Sequence, residues 1–204
     1  MSGDGQGRER ADARRNRGRI VEAALAALSD SQGTASLESI ARRAGVGIGT
    51  LYRHFPSREA LIEAVYRDEL GQLCDAAGEL AATLPPERAL RTWMGRYADF
   101  VATKHGMAEA LREVIASGAV TSDDTRRRLS EAVRGMLDAG AESGRLRGDV
   151  PAEDVVAQMA GVLLACQRPD QRPQVDRLLD LLIDGLSPDR SPDRAAHTDE
   201  HRAN

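Results

Sequence analysis

The sequence predicts an all-α protein, with an N-terminal three-helix helix-turn-helix domain and a larger C-terminal helical domain. Three observations carry that expectation. Apolar residues recur at helical spacing in successive segments, and no stretch shows a convincing strand pattern. Hydrophobic residues are 41% of the chain but aromatics only 3%, so Leu, Ala and Val must build the core, and Leu and Ala favour helix. The segment 37–58, LESIARRAGVGIGTLYRHFPSR, reads as two short helices joined by a Gly-rich turn.

Residues 1–12 are polar and Gly-rich and are expected to be a disordered basic arm. Arg8, Arg10, Arg14, Arg15, Arg17 and Arg19 are concentrated there and just beyond it. They suit either a solvated helix start or an arm reaching a phosphate or minor groove. The first helix follows, with Ile20, Ala23, Ala24, Ala27 and Leu28 as its buried stripe, and ends in the polar loop Ser31-Gln32-Gly33-Thr34. Ser36 is the candidate N-cap of the second helix, with Glu38 in the first turn where the dipole favours an anion. Leu37, Ile40, Ala41 and Ala44 repeat along it. Gly45-Val46-Gly47 supplies glycine where the turn needs positive φ. With Gly47 as the next N-cap, Val46 and Leu51 occupy the positions of a hydrophobic staple. Leu51 and Phe55, one turn apart, anchor the third helix. Ile48, Thr50, Tyr52, Arg53 and His54 lie off that apolar face and suit base edges and phosphates better than a core.

This stretch resembles the DNA-binding domain of the tetracycline-repressor (TetR) type of bacterial regulators. That pattern runs I-A-x-x-A-G-V, a turn, T-L-Y-x-H-F, then a polar turn with a basic residue and a new amphipathic helix. The matching residues are Ile40 to Val46, Thr50 to Phe55, and Pro56-Ser57-Arg58-Glu59-Ala60-Leu61. Two positions depart from it: Ile48 stands where the family often has a polar or basic residue, and Arg58 where it often has Lys. An apolar Ile48 can touch a thymine methyl but cannot hydrogen-bond a base.

The resemblance implies a DNA-binding domain over 13–56 and an effector-binding and dimerisation domain over 57–186; residues 187–204 are polar, with two Pro and two His, and are expected to be a disordered tail. It implies a homodimer on double-stranded DNA at a pseudo-palindromic operator, most often a repressor released by a small-molecule effector; the lack of a membrane span, secretion signal or disulfide pattern in the sequence points to the cytoplasm. Ser36, Tyr52, His54 and Arg58 become candidates for phosphate contact and positioning. Ile48, Thr50 and Arg53 become candidates for base reading, with Gly47 and Gly49 permitting close approach.

A fourth helix runs from Ser57 towards Leu84, where Pro85-Pro86 stops it. In the family it links the DNA-binding domain to the body. The next helix, about 87–104, sets Trp93, Tyr97 and Phe100 at i, i+4 and i+7. They form either an aromatic core stripe or, with Met107, Leu111 and Met136, the wall of a ligand pocket. A short helix holds Met107, Leu111, Val114 and Ile115. Ser122 as cap, with Asp123 and Asp124 in the first turn, predicts the start of a helix that Gly144 ends. Arg126-Arg127-Arg128 within it is read as a solvated face. Two last helices, about 151–167 and 174–186, carry broad apolar faces, which the resemblance assigns to a four-helix dimer interface.

Net charge is −4, unevenly spread: residues 1–67 hold 11 Arg against 8 acids, and the remainder is net −7. A basic end on an acidic body can orient the molecule on DNA. No stretch reaches the roughly 18 apolar residues of a membrane span, and the N-terminus lacks the apolar run of a secretion signal. Cys74 and Cys166 match no CxxC or disulfide framework and are expected in the core. No GxSxG, HExxH, P-loop or GxGxxG motif is present, so neither an enzyme nor a cofactor is expected. His197 and His201 fall in the polar tail and are not expected to hold metal. The alternative from the same residues is a DNA-binding regulator without a small-molecule effector, controlled by a protein partner or by cysteine oxidation.

Overall fold

The computed structural model describes residues 4–30 and 34–188, with side chains from Ala11 onward. Within them the chain folds into α1 (Asp4–Asp30), α2 (Leu37–Ala44), α3 (Ile48–His54), α4 (Arg58–Thr83), α5 (Pro86–Gly106), α6 (Ala108–Ala116), α7 (Ser122–Glu142), α8 (Ala152–Ala165) and α9 (Arg172–Gly185). A 3-10 turn, Pro169–Gln171, joins α8 to α9. No described residue is in a strand, so the all-α expectation holds. None of the described helices is long and apolar enough to cross a membrane. His197 and His201 lie outside the described residues, as does nearly all of the polar tail.

The arm is the first departure. Residues 4–12, expected to be disordered, form the opening turns of α1. Arg, Glu, Gln and Ala all sit well in helix, and Arg15 pairs with Asp12 one turn earlier. Further along α1, Ile20, Ala23, Ala24, Ala27 and Leu28 are buried as their spacing predicts.

α4 is the central strut. Its N-cap Ser57 accepts a hydrogen bond from the Ala60 amide at 3.1 Å. It buries Leu61, Ile62, Val65, Tyr66, Leu70, Leu73, Ala76, Ala77 and Leu80. So wide an apolar stripe follows from its neighbours, since α1, α5, α6 and α7 all pack against it. The helix stops at Leu84, whose extended backbone precedes Pro85, and Pro86 opens α5 at a first-turn position that needs no amide hydrogen.

α7 begins one residue earlier in its capping than the spacing suggests. Thr121, not Ser122, is the N-cap: its backbone is extended and its hydroxyl accepts from the Asp124 amide at 3.2 Å. Asp123 and Asp124 remain in the first turn. Near the other end, Gly140 is buried and lies flush against Leu146, which folds back after the positive-φ Gly144. A Cβ at Gly140 would come within 2.5 Å of Leu146 Cδ1 and 2.8 Å of its Cβ. Gly140→Ala is therefore expected to destabilise the fold by about 1–3 kcal/mol, as overpacking does. Urea unfolding checks this, and an unchanged midpoint would mean that the 144–146 turn yields freely.

α9 returns to α5. Arg91 donates to Asp180 at 2.6 Å, and Arg172 pairs with Asp99. Leu164 at the end of α8 and Leu181 on α9 are 69% and 64% exposed. Both leucines, one on each of two helices that pack together, are apolar side chains left uncovered by the described residues.

Candidate nucleic-acid interface

The α2–turn–α3 unit closes as its residues dictate. Ser36 caps α2, its hydroxyl accepting from the Ser39 amide at 3.2 Å. Gly45 ends α2 in the left-handed region, φ 66° and ψ 36°. There the Gly45 amide donates to the Arg42 carbonyl at 3.2 Å and the Val46 amide to the Ala41 carbonyl at 3.0 Å, a Schellman closure. An L side chain at Gly45 would adopt a strained backbone, and its Cβ would meet Arg19 Nη2 at 2.6 Å. Gly47 then caps α3 through its carbonyl, which accepts from the Thr50 and Leu51 amides at 2.9 and 3.1 Å. Only Gly45 in this unit uses a positive φ; Gly47 is extended, and a Cβ at Gly47 or Gly49 would meet nothing.

Leu51 and Phe55 are buried and hold α3 to the core. The Arg17 guanidinium lies 4.5 Å from the Phe55 ring centroid, a cation–π clamp from α1. The opposite face of α3 is open. Ile48 is 38% and Tyr52 47% exposed, and Gly49 and Arg53 are exposed beside them, with Thr50 half-buried. Ile48, Gly49, Tyr52 and Arg53 are thus open to solvent and Thr50 partly so, while two of the wider candidate set are placed otherwise. His54 is half-buried and lines a cleft of about 610 Å³ between α1 and α4, together with Arg14, Arg17 and Arg67. Arg58, at the start of α4, is also half-buried and donates to the Ala35 carbonyl, tying α4 to the segment that precedes α2. The clamp by Arg17 is not visible in the sequence. Its one signal is membership of the Arg-rich run, since nothing local places it over Phe55.

Two family models match this chain. Residues 20–65 match the model described as bacterial regulatory proteins, tetR family. Residues 85–188, about half of the chain, match the C-terminal domain of SbtR-like transcriptional regulators. The chain belongs to the TetR family of transcriptional regulators. The similar solved structures agree. The TetR transcriptional regulator SCO0520 from Streptomyces coelicolor is 50% identical, with TM-score 0.76, over 84% of this chain and 98% of that one. A TetR regulatory protein from Mycobacterium vanbaalenii is 27% identical, with TM-score 0.66, over 87% and 98%. FadR from Bacillus subtilis, solved with stearoyl-CoA, shares the fold at 17% identity and TM-score 0.56, over 82% and 96%. No curated protein matches the chain.

In this TetR regulator the aromatic stripe divides. Trp93 is fully buried, and its indole N–H donates to the Leu73 carbonyl at 2.7 Å. Met107, Leu111 and Met136 are buried in the same core. Tyr97 stacks on Trp93 at 5.9 Å but also lines a cavity among α4, α5, α6, α7 and α8. Phe100 tilts against Tyr66 at 5.6 Å and lines a separate surface cleft with Arg96 and Asp99. Burial raises the pKa of both Tyr66 and Tyr97 and lowers that of Lys104. The Tyr66 hydroxyl lies 2.8 Å from Thr125 Oγ1, which links α4 to α7. The cluster of Tyr66, Lys104 and Arg126 is a feature that the sequence pattern does not reveal. Its one visible signal is that Lys104 is the only lysine beside 27 arginines.

Proposed function

We propose that this regulator is a cytoplasmic homodimeric repressor that holds a pseudo-palindromic operator and leaves it when a small molecule enters the body. The observation that carries this reading is the reach of α4. It starts three residues beyond Phe55, the anchor of α3, and ends deep in the body as a neighbour of α5 and α7. A ligand that moves the body end of α4 changes the spacing of the two α3 helices in a dimer. Coupling of roughly 1–3 kcal/mol is typical of such linkage, or about 5- to 150-fold in affinity. The exposed Leu164 and Leu181 support pairing of α8 and α9 with the same helices of a second copy.

On the DNA side, Ile48, Thr50 and Arg53 are assigned to base edges, and Ser36, Tyr52, His54 and Arg58 to phosphates and positioning. Gly47 and Gly49 let the backbone of α3 approach closely. Arg58 also serves the fold, so Arg58→Ala is expected to do two things. It lowers stability by about 1 kcal/mol through loss of the Ala35 hydrogen bond. It also lowers the salt slope of DNA binding by about 0.9 for each phosphate that the protein no longer neutralises. Anisotropy titrations at several salt concentrations measure the slope, and an unchanged slope removes Arg58 from the phosphate set.

The alternative of release by cysteine oxidation draws less support. Cys166 is buried, and burial pushes the Cys74 thiol above its ordinary pKa, which reduces the reactive thiolate. A gel shift against the DNA upstream of the protein's own coding sequence tests the reading. Binding that metabolites relieve and oxidant does not is the expected result. Binding relieved by oxidant alone would favour the alternative.

A further inference from the structure

The cavity lined by Tyr97 measures about 200 Å³ and lies where α4, α5, α6, α7 and α8 meet. Its walls carry two cations, Lys104 and Arg126, and no carboxylate. Among the described residues Arg126, itself exposed, pairs only with the solvated Asp123, at 3.9 Å, a weak pair. No described carboxylate pairs with Lys104, whose ammonium rests 5.8 Å from the Tyr66 ring centroid. Tyr97 adds a hydroxyl donor to the cavity wall. It is only 7% exposed, and its hydroxyl has no hydrogen-bond partner among the described residues. Tyr97 shares the cavity wall with Lys104, Arg126 and Tyr66. The Tyr97 oxygen keeps contact with solvent, so it is free to donate to an acceptor that a ligand brings into the cavity. Leu129 and Val156 form the apolar wall, and the half-exposed Ile115 lies at the rim.

We propose that this cavity binds a small organic acid, its carboxylate held by Lys104, Arg126 and the Tyr97 hydroxyl and its short apolar body lying against Leu129 and Val156. The inference deepens the effector reading above and rests on it. Drug-sized sites begin near roughly 300 Å³. A 200 Å³ cavity therefore suits a compact aromatic or short aliphatic acid and leaves no room for a long chain.

Trp93 is the only tryptophan and stacks on Tyr97, so its emission reports the cavity directly. The test titrates the full-length protein with benzoate and phenylacetate, and with the isosteric benzamide and benzylamine. A saturable response to the acids, with none to the neutral or cationic probes, is expected. Lys104→Met and Tyr97→Phe should each weaken acid binding by roughly 10- to 150-fold, the worth of a hydrogen bond to a charged group. Lys104→Arg should restore much of the loss. Tyr97→Phe removes one oxygen that hydrogen-bonds to no described residue, so it remains informative if Lys104→Met folds poorly. Equal response to all four probes, unchanged affinity in both variants, or no response to the acids up to roughly 10 mM would overturn the proposal. The same titration on the protein–DNA complex separates the two readings. Acid binding without DNA release supports the site and rejects the release mechanism.

Discussion

Trp93→Ala is expected to lower the unfolding free energy by about 3–5 kcal/mol, the usual cost of deleting a large buried aromatic. The ring is fully buried between α4 and its own helix, and it stacks on Tyr97. Removing it opens a cavity in the body and strips a donor from the Leu73 carbonyl. Domains are stable by only about 5–15 kcal/mol, so this loss is a large fraction of the total. Trp93→Phe keeps an aromatic ring and gives up the N–H, and should cost less, the missing hydrogen bond accounting for about 1 kcal/mol. Chemical unfolding at one fixed protein concentration measures both, since the dimer proposed above makes apparent stability depend on concentration. A loss under about 1 kcal/mol for Trp93→Ala would mean that the ring packs against nothing rigid.

The second large effect falls on DNA. Arg53 is exposed on the open face of α3, so Arg53→Ala should leave stability unchanged. As a base reader it contributes roughly 1–3 kcal/mol of discrimination in each half-site. Across two half-sites its loss weakens operator binding by roughly 30-fold to 10⁴-fold. Binding to random DNA should fall far less, because backbone contacts carry that term. An equal drop on both DNAs would make Arg53 a phosphate contact instead.

Much of this molecule is legible in its sequence where local chemistry decides. Ser36, Gly45, Gly47 and Ser57 act within three or four residues of themselves, so their capping roles follow from short-range hydrogen bonding. Leu51 and Phe55 share a face by helical period alone. The α7 cap falls one residue before the expected one because Thr121 and Ser122 both offer a hydroxyl ahead of Asp123 and Asp124. Local pattern says less where a distant element covers a residue. His54 lies off the apolar face of α3, yet its environment is set by α1 and α4. Periodicity puts Trp93, Tyr97 and Phe100 on one face but does not say what packs on it: α4 covers Trp93, while Tyr97 is left at a cavity wall. The grouping of Tyr66, Lys104 and Arg126 joins positions 60 residues apart and becomes visible only once α4, α5 and α7 are assembled.

Recognition through α3 is tested most directly by selecting bound duplexes from random DNA with the full-length protein, an α3 double substitution, Tyr52→Ala with Arg53→Ala, being run in parallel. Enrichment of a pseudo-palindrome by the natural chain is expected, with its loss in the variant, whose folding stays intact. Enrichment that survives the double substitution, or no enrichment by the natural chain, would contradict recognition through α3.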